Sequence, residues 1–331
     1  VPTRSSTNAT KVLLGLFVLF VLVVGGLWLA WTKLVEYERR AALHVPRGAP
    51  FAARIDLEQV VLFEPVRKHL FPVVREALRD DGGFDALEEK TGIDLAMDLR
   101  EMLFARAPQD GQWVIVVGGL FPRGAVVEGL YEIVEESELV GCSYQGKRMS
   151  CPPYGVYVEQ ASDGMLLFAS SPAVLEAALL PSQYYERLGL GLRDAAGFGT
   201  SRQWLWDLPL VRYSSLVPGL RALSQFDGAN GKVELGTESF VEVELRPVEG
   251  GDLTQLAPTV ETLLSAFGTV LSLTNQTDRA GEHGLLARAE VTTTESGKVR
   301  VRSPWPRDDI DRAARSLAQV LSSWLVQNAS H

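Results

Sequence analysis

The residues best placed to do chemistry are two cysteines. Cys142 and Cys151 bracket the stretch CSYQGKRMSC and are the only cysteines among 331 residues. A thiol pair can serve as a redox couple, hold a metal, or form a structural crosslink. A redox couple calls for Cys-x-x-Cys, which the chain lacks. Zinc calls for neighbouring Cys or His ligands, and none of the four histidines (His44, His69, His283, His331) lies nearby. The spacing itself favours a crosslink. If Gly146–Lys147 forms a two-residue hairpin turn, with Gly first as type II′ prefers, then Gln145 faces Arg148, Tyr144 faces Met149, Ser143 faces Ser150 and Cys142 faces Cys151. The last pair falls at a non-hydrogen-bonded site, where opposed residues approach closely enough for a disulfide. Two unrelated buried thiols are the alternative. The opposed register favours the disulfide, and with it an oxidising compartment.

Other chemistry is harder to find. There is no G-x-S-x-G elbow, Walker loop or HExxH. The stretch GLGLRDAAGFG is glycine-rich but lacks G-x-G-x-x-G, so it reads as a connector. PRDDIDR lacks the Gly and terminal Glu of a calcium loop and reads as a helix start. Trp204 and Trp206 would share one face of a strand, either as a sticky surface or as core. Trp305, between prolines in SPWP, is a candidate partner contact. No catalytic, cofactor-binding or metal-binding residue is expected, no cofactor, and no enzymatic activity.

These residues hang on a chain with one dominant feature. Val12 to Trp31, VLLGLFVLFVLVVGGLWLAW, has no charge and is long enough to cross a bilayer as a helix. A cleaved signal peptide would have a shorter apolar core followed by a small-x-small site. Ala30 has Trp28 two positions before it, so that site fails. The segment reads as an uncleaved anchor in the lipid bilayer, with Trp28 and Trp31 at its interface. Its orientation is contested. Lys33, Arg39, Arg40 and Arg47 follow the span against Arg4 and Lys11 before it, which by the positive-inside rule puts the body in the cytoplasm. Large domains behind an N-terminal anchor cross largely regardless of charge, and the cysteines point the same way. The balance favours a single-pass protein of a bacterial inner membrane with a periplasmic body. A net charge of −9 argues against nucleic acid as a partner.

The expected fold class is α+β: an N-terminal transmembrane helix, then two tandem, duplicated α+β units with mainly antiparallel sheets and packed helices. The expected boundaries are a tail over 1–11, the span over 12–31, a helical juxtamembrane stalk over 32–48, a first unit over 49–182, a connector over 183–200 and a second unit over 201–327. Turn glycines and alternation place hairpins at Gly146–Lys147, Asp163–Gly164 and Ser296–Gly297. Duplication rests on paired stretches: ARIDLEQV with WLWDLPLV, matching Asp56 to Asp207; LFPVVREAL with LVPGLRAL, matching Pro72 to Pro218; and WVIVVGGLFPRG with FVEVELRPVEGG. In FVEVELR and KVRVR, charges alternate with apolar residues. If these strands are neighbours, the charges pair across the sheet. The final helix, Asp308 to Val326, is expected to bury Ile310, Ala314, Leu317, Leu321 and Leu325.

The run HVPRGAPFAARIDLEQV, followed by EEKTGIDLAMDLREMLFA and GQWVIVVGGLF, resembles a group of uncharacterised, membrane-anchored bacterial envelope proteins. Their pattern is a Pro-rich start, a strand carrying Asp, a Thr-Gly-Ile-Asp helix and a further strand. The resemblance covers the first half of the body. It implies export and a duplicated α+β body, and carries no catalytic residues with it. The expected function is a non-enzymatic envelope protein that binds or scaffolds other envelope components, with a protein partner and a possible place as accessory subunit of a membrane complex. The alternatives are a carrier or sensor of an apolar ligand held between sheet and helices, and an unrecognised hydrolase.

Overall fold

The computed structural model describes residues 37–80, 83–94, 98–109, 111–137, 139–207, 225–249, 256–262, 264–265 and 288–328. The expected span over 12–31, with Val12, Trp28 and Trp31, lies outside them, as does LVPGLRAL. No described helix is long and apolar enough to cross a membrane.

The body is mixed α+β, built on one antiparallel sheet. In chain order the strands are β1 (Phe51–Asp56), β2 (Leu99–Arg106), β3 (Trp113–Gly119), β4 (Ser143–Gln145), β5 (Arg148–Cys151), β6 (Val156–Gln160), β7 (Leu166–Ala169), β8 (Ala196–Ser201), β9 (Phe226–Glu234), β10 (Phe240–Pro247), β11 (Glu290–Thr293) and β12 (Val299–Pro304). The helices are α1 (Leu57–Leu62), α2 (Glu64–Asp80), α3 (Gly83–Thr91), α4 (Ala125–Glu136), α5 (Pro172–Leu179), α6 (Tyr184–Leu188), α7 (Arg202–Asp207) and α8 (Arg307–Asn328). The strands lie side by side as β11-β12-β10-β9-β8-β1-β2-β3-β7-β6-β5-β4. From the central β1–β8 pair the order outward is β1, β2, β3, β7, β6 on one side and β8, β9, β10, β12, β11 on the other. Each side places three successive strands, then the second strand of a later hairpin, then its first.

Residues 183–200, expected as a connector, supply α6 and most of β8, and β8 joins the halves by pairing with both β1 and β9. Glycine here serves close approach, not flexibility: a Cβ on Gly199 would stand 2.3 Å from the Leu188 carbonyl oxygen. The expected stalk is also different over its described part. Ala41–His44 is a short 3-10 turn with Ala41 and Ala42 wholly buried. It is held inward because Glu101 accepts hydrogen bonds from the backbone nitrogens of Arg40 and Ala41, at 2.6 and 2.9 Å. His44, itself buried, places Nδ1 2.7 Å from the Ala178 carbonyl oxygen and Nε2 3.0 Å from Asp163.

Strand β2 pairs with β1 along the length of β1. Its inward face carries Glu101, Leu103 and Ala105, all fully buried. Arg54 on β1 donates through Nε to Glu101 at 2.8 Å and through Nη1 to the Asp194 carbonyl at 3.0 Å. Its Nη2 lies 3.5 Å from Asp56. Asp56 caps α1 by accepting from the Gln59 nitrogen and pairs with Arg39. This buried ionic cluster lies at the middle of the sheet. Farther out, β10 and β12 are neighbours, which meets the condition for charge pairing, with Glu242 opposite Arg302 and Glu244 opposite Arg300. Glu244 accepts from Lys298 at 3.0 Å and Arg300 at 2.7 Å.

Two further differences and one close contact matter. WLWD is the helix α7, not a strand, because β8 ends before it at Ser201. On α8, Ile310 and Ala314 are buried as expected, whereas Leu317 is 50% exposed and Ala318 takes the inward position. Finally, α4 lies unusually close to α3. A Cβ on Gly129 would meet the Lys90 carbonyl oxygen at 2.3 Å, so only glycine admits the contact. Gly129→Ala should therefore force the helices apart and cost about 1–3 kcal/mol, the range for overpacking. A thermal melt of the variant checks this; an unchanged midpoint would show that the contact is not tight.

Candidate binding site

The cysteine hairpin folds in the expected register: Ser143 opposite Ser150, Tyr144 opposite Met149 and Gln145 opposite Arg148. Gly146 takes the positive φ of 66° that the turn requires. Cys142 and Cys151 are joined, with Cα atoms 4.2 Å apart. Because side chains alternate along a strand, this hairpin and its neighbours form a wall with two unlike faces.

One face is apolar. Tyr144, Met149, Val158 and Phe168 sit opposite one another in a row across β4, β5, β6 and β7. The disulfide packs into the same apolar cluster, with Val126 and Val127 of α4. Tyr144 stacks on Tyr131 of α4 with ring centroids 5.7 Å apart. Burial, with Glu128 nearby, pushes the Tyr144 hydroxyl above its ordinary pKa. The helices do not fill the space above this row. A cleft of about 430 Å³ remains, bounded by Leu87 of α3, by Leu130, Ile133 and Val134 of α4, and by Met149, Val156, Val158 and Phe168 of the sheet. Every described residue that lines it is apolar.

The opposite face is polar. A concavity of about 520 Å³ is bordered by Ser143, Gln145, Lys147, Arg148, Ser150 and Glu159. Buried Glu159 accepts from Arg148 Nε at 2.7 Å and pairs with Lys147 at 2.9 Å. Arg148 also donates to Glu176 at 2.6 Å. The Glu176 hydrogen bond, and then Glu159, hold the Arg148 pKa above its usual value. These charges neutralise one another across the face. Among the described residues no group of three or more His, Cys, Asp or Glu could hold a metal ion.

Trp204 and Trp305 lie at different places in the fold. Trp204, on α7, stacks on Phe51 of β1 at 4.4 Å between centroids. Trp206 is on the same helix, with its side chain outside the described structure. Trp305 lines a separate pocket of about 420 Å³ at the end of β12, with Phe240. The sequence offers an apolar ligand between sheet and helices only as an alternative and does not place the cleft, although α4 carries Val126, Leu130, Ile133 and Val134 at helical spacing. A helix stripe shows which face points inward, not whether it fills the space beneath.

No protein-family model matches the chain. No curated protein matches it either. Among solved structures it is similar to crystal forms of TP0453, an envelope protein of Treponema. Form III shares 9% identity at a TM-score of 0.46, covering 87% of this chain and 99% of that one. Form I shares 9% at 0.45, covering 87% and 98%. Form IV shares 8% at 0.42, covering 88% and 99%.

Proposed function

We propose that the chain is a membrane-anchored bacterial envelope protein that binds rather than transforms its ligand, and that the ligand is apolar and enters the cleft between α3, α4 and the disulfide-clamped hairpin. The cleft carries this reading. Its volume, about 430 Å³, falls in the range of roughly 300–1,000 Å³ usual for small-molecule sites. Apolar walls favour a ligand that gains by leaving water. The apolar segment Val12–Trp31 supports an anchor in the inner membrane, and the joined cysteines support a periplasmic body. The matched strand order either side of β1–β8 supports a duplicated origin for the two halves.

The test is uptake of the neutral apolar dye N-phenyl-1-naphthylamine by the full chain in a nonionic detergent. Saturable fluorescence enhancement is expected, with a Kd on the order of micromolar, ordinary for such sites. Ile133→Trp, which fills the cleft from a half-buried position, should weaken uptake at least tenfold without lowering the melting temperature. Equal uptake by the two proteins would rule the cleft out as the binding element.

A further inference from the structure

The Trp305 pocket has features that the cleft does not use. It lies where β12 ends and the chain turns into α8. Phe240 and Trp305 form its apolar part, with Pro304 and Pro306 beside them. The loop carrying Glu238 is fixed: buried Ser239 accepts from the Gly236 nitrogen at 3.0 Å, and its carbonyl accepts from the Trp305 nitrogen at 2.8 Å. The aromatic part already attracts cations. The Arg302 guanidinium lies 4.0 Å from the Phe240 ring centroid, and Lys232 Nζ lies 5.3 Å from it. Glu238 and Glu290 border the pocket, both exposed. Among the described residues neither carboxylate has a hydrogen-bond or ion-pair partner. Lys232 is taken up by Glu234 and Glu242, so of the charges that border the pocket Arg302, opposite Glu290 on the neighbouring strand, faces two carboxylates. The indole N–H of Trp305 is buried and also without a partner.

We propose that this pocket docks an extended, basic segment of a partner protein, seating one lysine or arginine side chain between Trp305 and the carboxylates of Glu238 and Glu290. An aromatic face flanked by uncompensated carboxylates attracts a cation twice over, through the ring quadrupole and through charge. A protein segment fits better than a lone headgroup because of the strand that carries Glu290. Among the described strands, β11 ends the sheet, and Glu290 is its first residue. A strand added along such an edge gains main-chain hydrogen bonds and presents alternate side chains to neighbouring pockets. The site is separate from the apolar cleft, so either can fail without the other.

Fluorescein-labelled acetyl-(Lys-Val)5-amide, titrated against the full chain in nonionic detergent and followed by anisotropy, tests this. Saturable binding is expected. The double reversal Glu238→Lys/Glu290→Lys, at exposed positions that bear no packing, should weaken it at least tenfold, and Trp305→Leu at least threefold. The reversal Glu135→Lys/Glu261→Lys, also exposed but outside the pocket, should change it less than twofold. Equal loss in both double variants would reduce the effect to diffuse charge and overturn the proposal. So would equal binding of acetyl-(Glu-Val)5-amide, or no binding of the lysine peptide. Binding of phosphatidylcholine vesicles in place of the peptide, lost with the same residues, would assign the pocket to a headgroup and overturn the protein partner.

Discussion

Glu101→Ala is expected to destabilise the body by about 3–5 kcal/mol, the cost of removing one partner from a buried ion pair. The carboxylate is fully buried and accepts hydrogen bonds from Arg54 Nε and from the nitrogens of Arg40 and Ala41. Its removal leaves the buried Arg54 guanidinium with Asp56 and the Asp194 carbonyl. It also leaves two backbone donors of the 3-10 turn without their acceptor. A loss of that size is a large part of a typical folding free energy of about 5–15 kcal/mol. Urea unfolding followed by far-UV circular dichroism measures it. Proteolysis adds a local reading, because the segment around Arg40 and Arg47 should become the first site cut by trypsin. If the variant unfolds too far to be measured, Glu101→Gln serves instead. It keeps one acceptor oxygen and should retain the fold with a smaller loss. A Glu101→Ala midpoint within error of the parent would mean the cluster is not holding the turn.

The second large effect is expected at the hairpin. Reducing the disulfide, or replacing both cysteines by serine, should cost about 2–3 kcal/mol for a loop this short. Strand β4 has only three residues paired with β5 and stands last in the sheet. The disulfide and the Tyr131–Tyr144 stack also hold it. Loss of the first should loosen the second, so naphthylamine uptake should fall in parallel with stability. The reagent test is direct. A maleimide should label neither cysteine of the native full chain and both after reduction and denaturation. Labelling without reductant would contradict the crosslink and remove the strongest sign of an oxidising compartment.

The hairpins were readable because local rules decide them. Gly146, Gly164 and Gly297 all adopt positive φ, and the flanking residues alternate, so register followed from turn position. Strand β2 was hidden for the opposite reason. Its charged Glu101 points inward while Met102 and Phe104 are 41% and 40% exposed, which inverts the usual pattern. Strands β8 and β9 were hidden by glycine. A Cβ on Gly231 would strike the Phe198 ring at 2.3 Å, and one on Gly228 the Thr200 carbonyl oxygen at 2.5 Å. Those glycines answer to neighbours far along the chain, which no local pattern reveals. Asp56 and Asp207, paired by the sequence, hold different places: Asp56 ends strand β1. Asp207 ends a helix, and the strand that stands beside β1 is already complete at Ser201. The cleft escaped because emptiness is a difference between volumes supplied by separate elements.

The central β1–β8 pair bears on how the protein is made. Chains emerge N-terminus first, so β1 and β2 are available long before β8 exists. Until Ala196–Ser201 has appeared, β1 offers an open edge, and the Arg54 side chain lacks the Asp194 carbonyl that accepts from its Nη1. The sheet cannot close by growing outward from its first hairpin. It must wait for the last-arriving half to be laid against the first-arriving strand. Pairing between such distant segments is slow, and an unsealed strand edge invites association with other chains meanwhile. A body of this design depends on protection of its earliest strand while the rest of the chain is still being delivered.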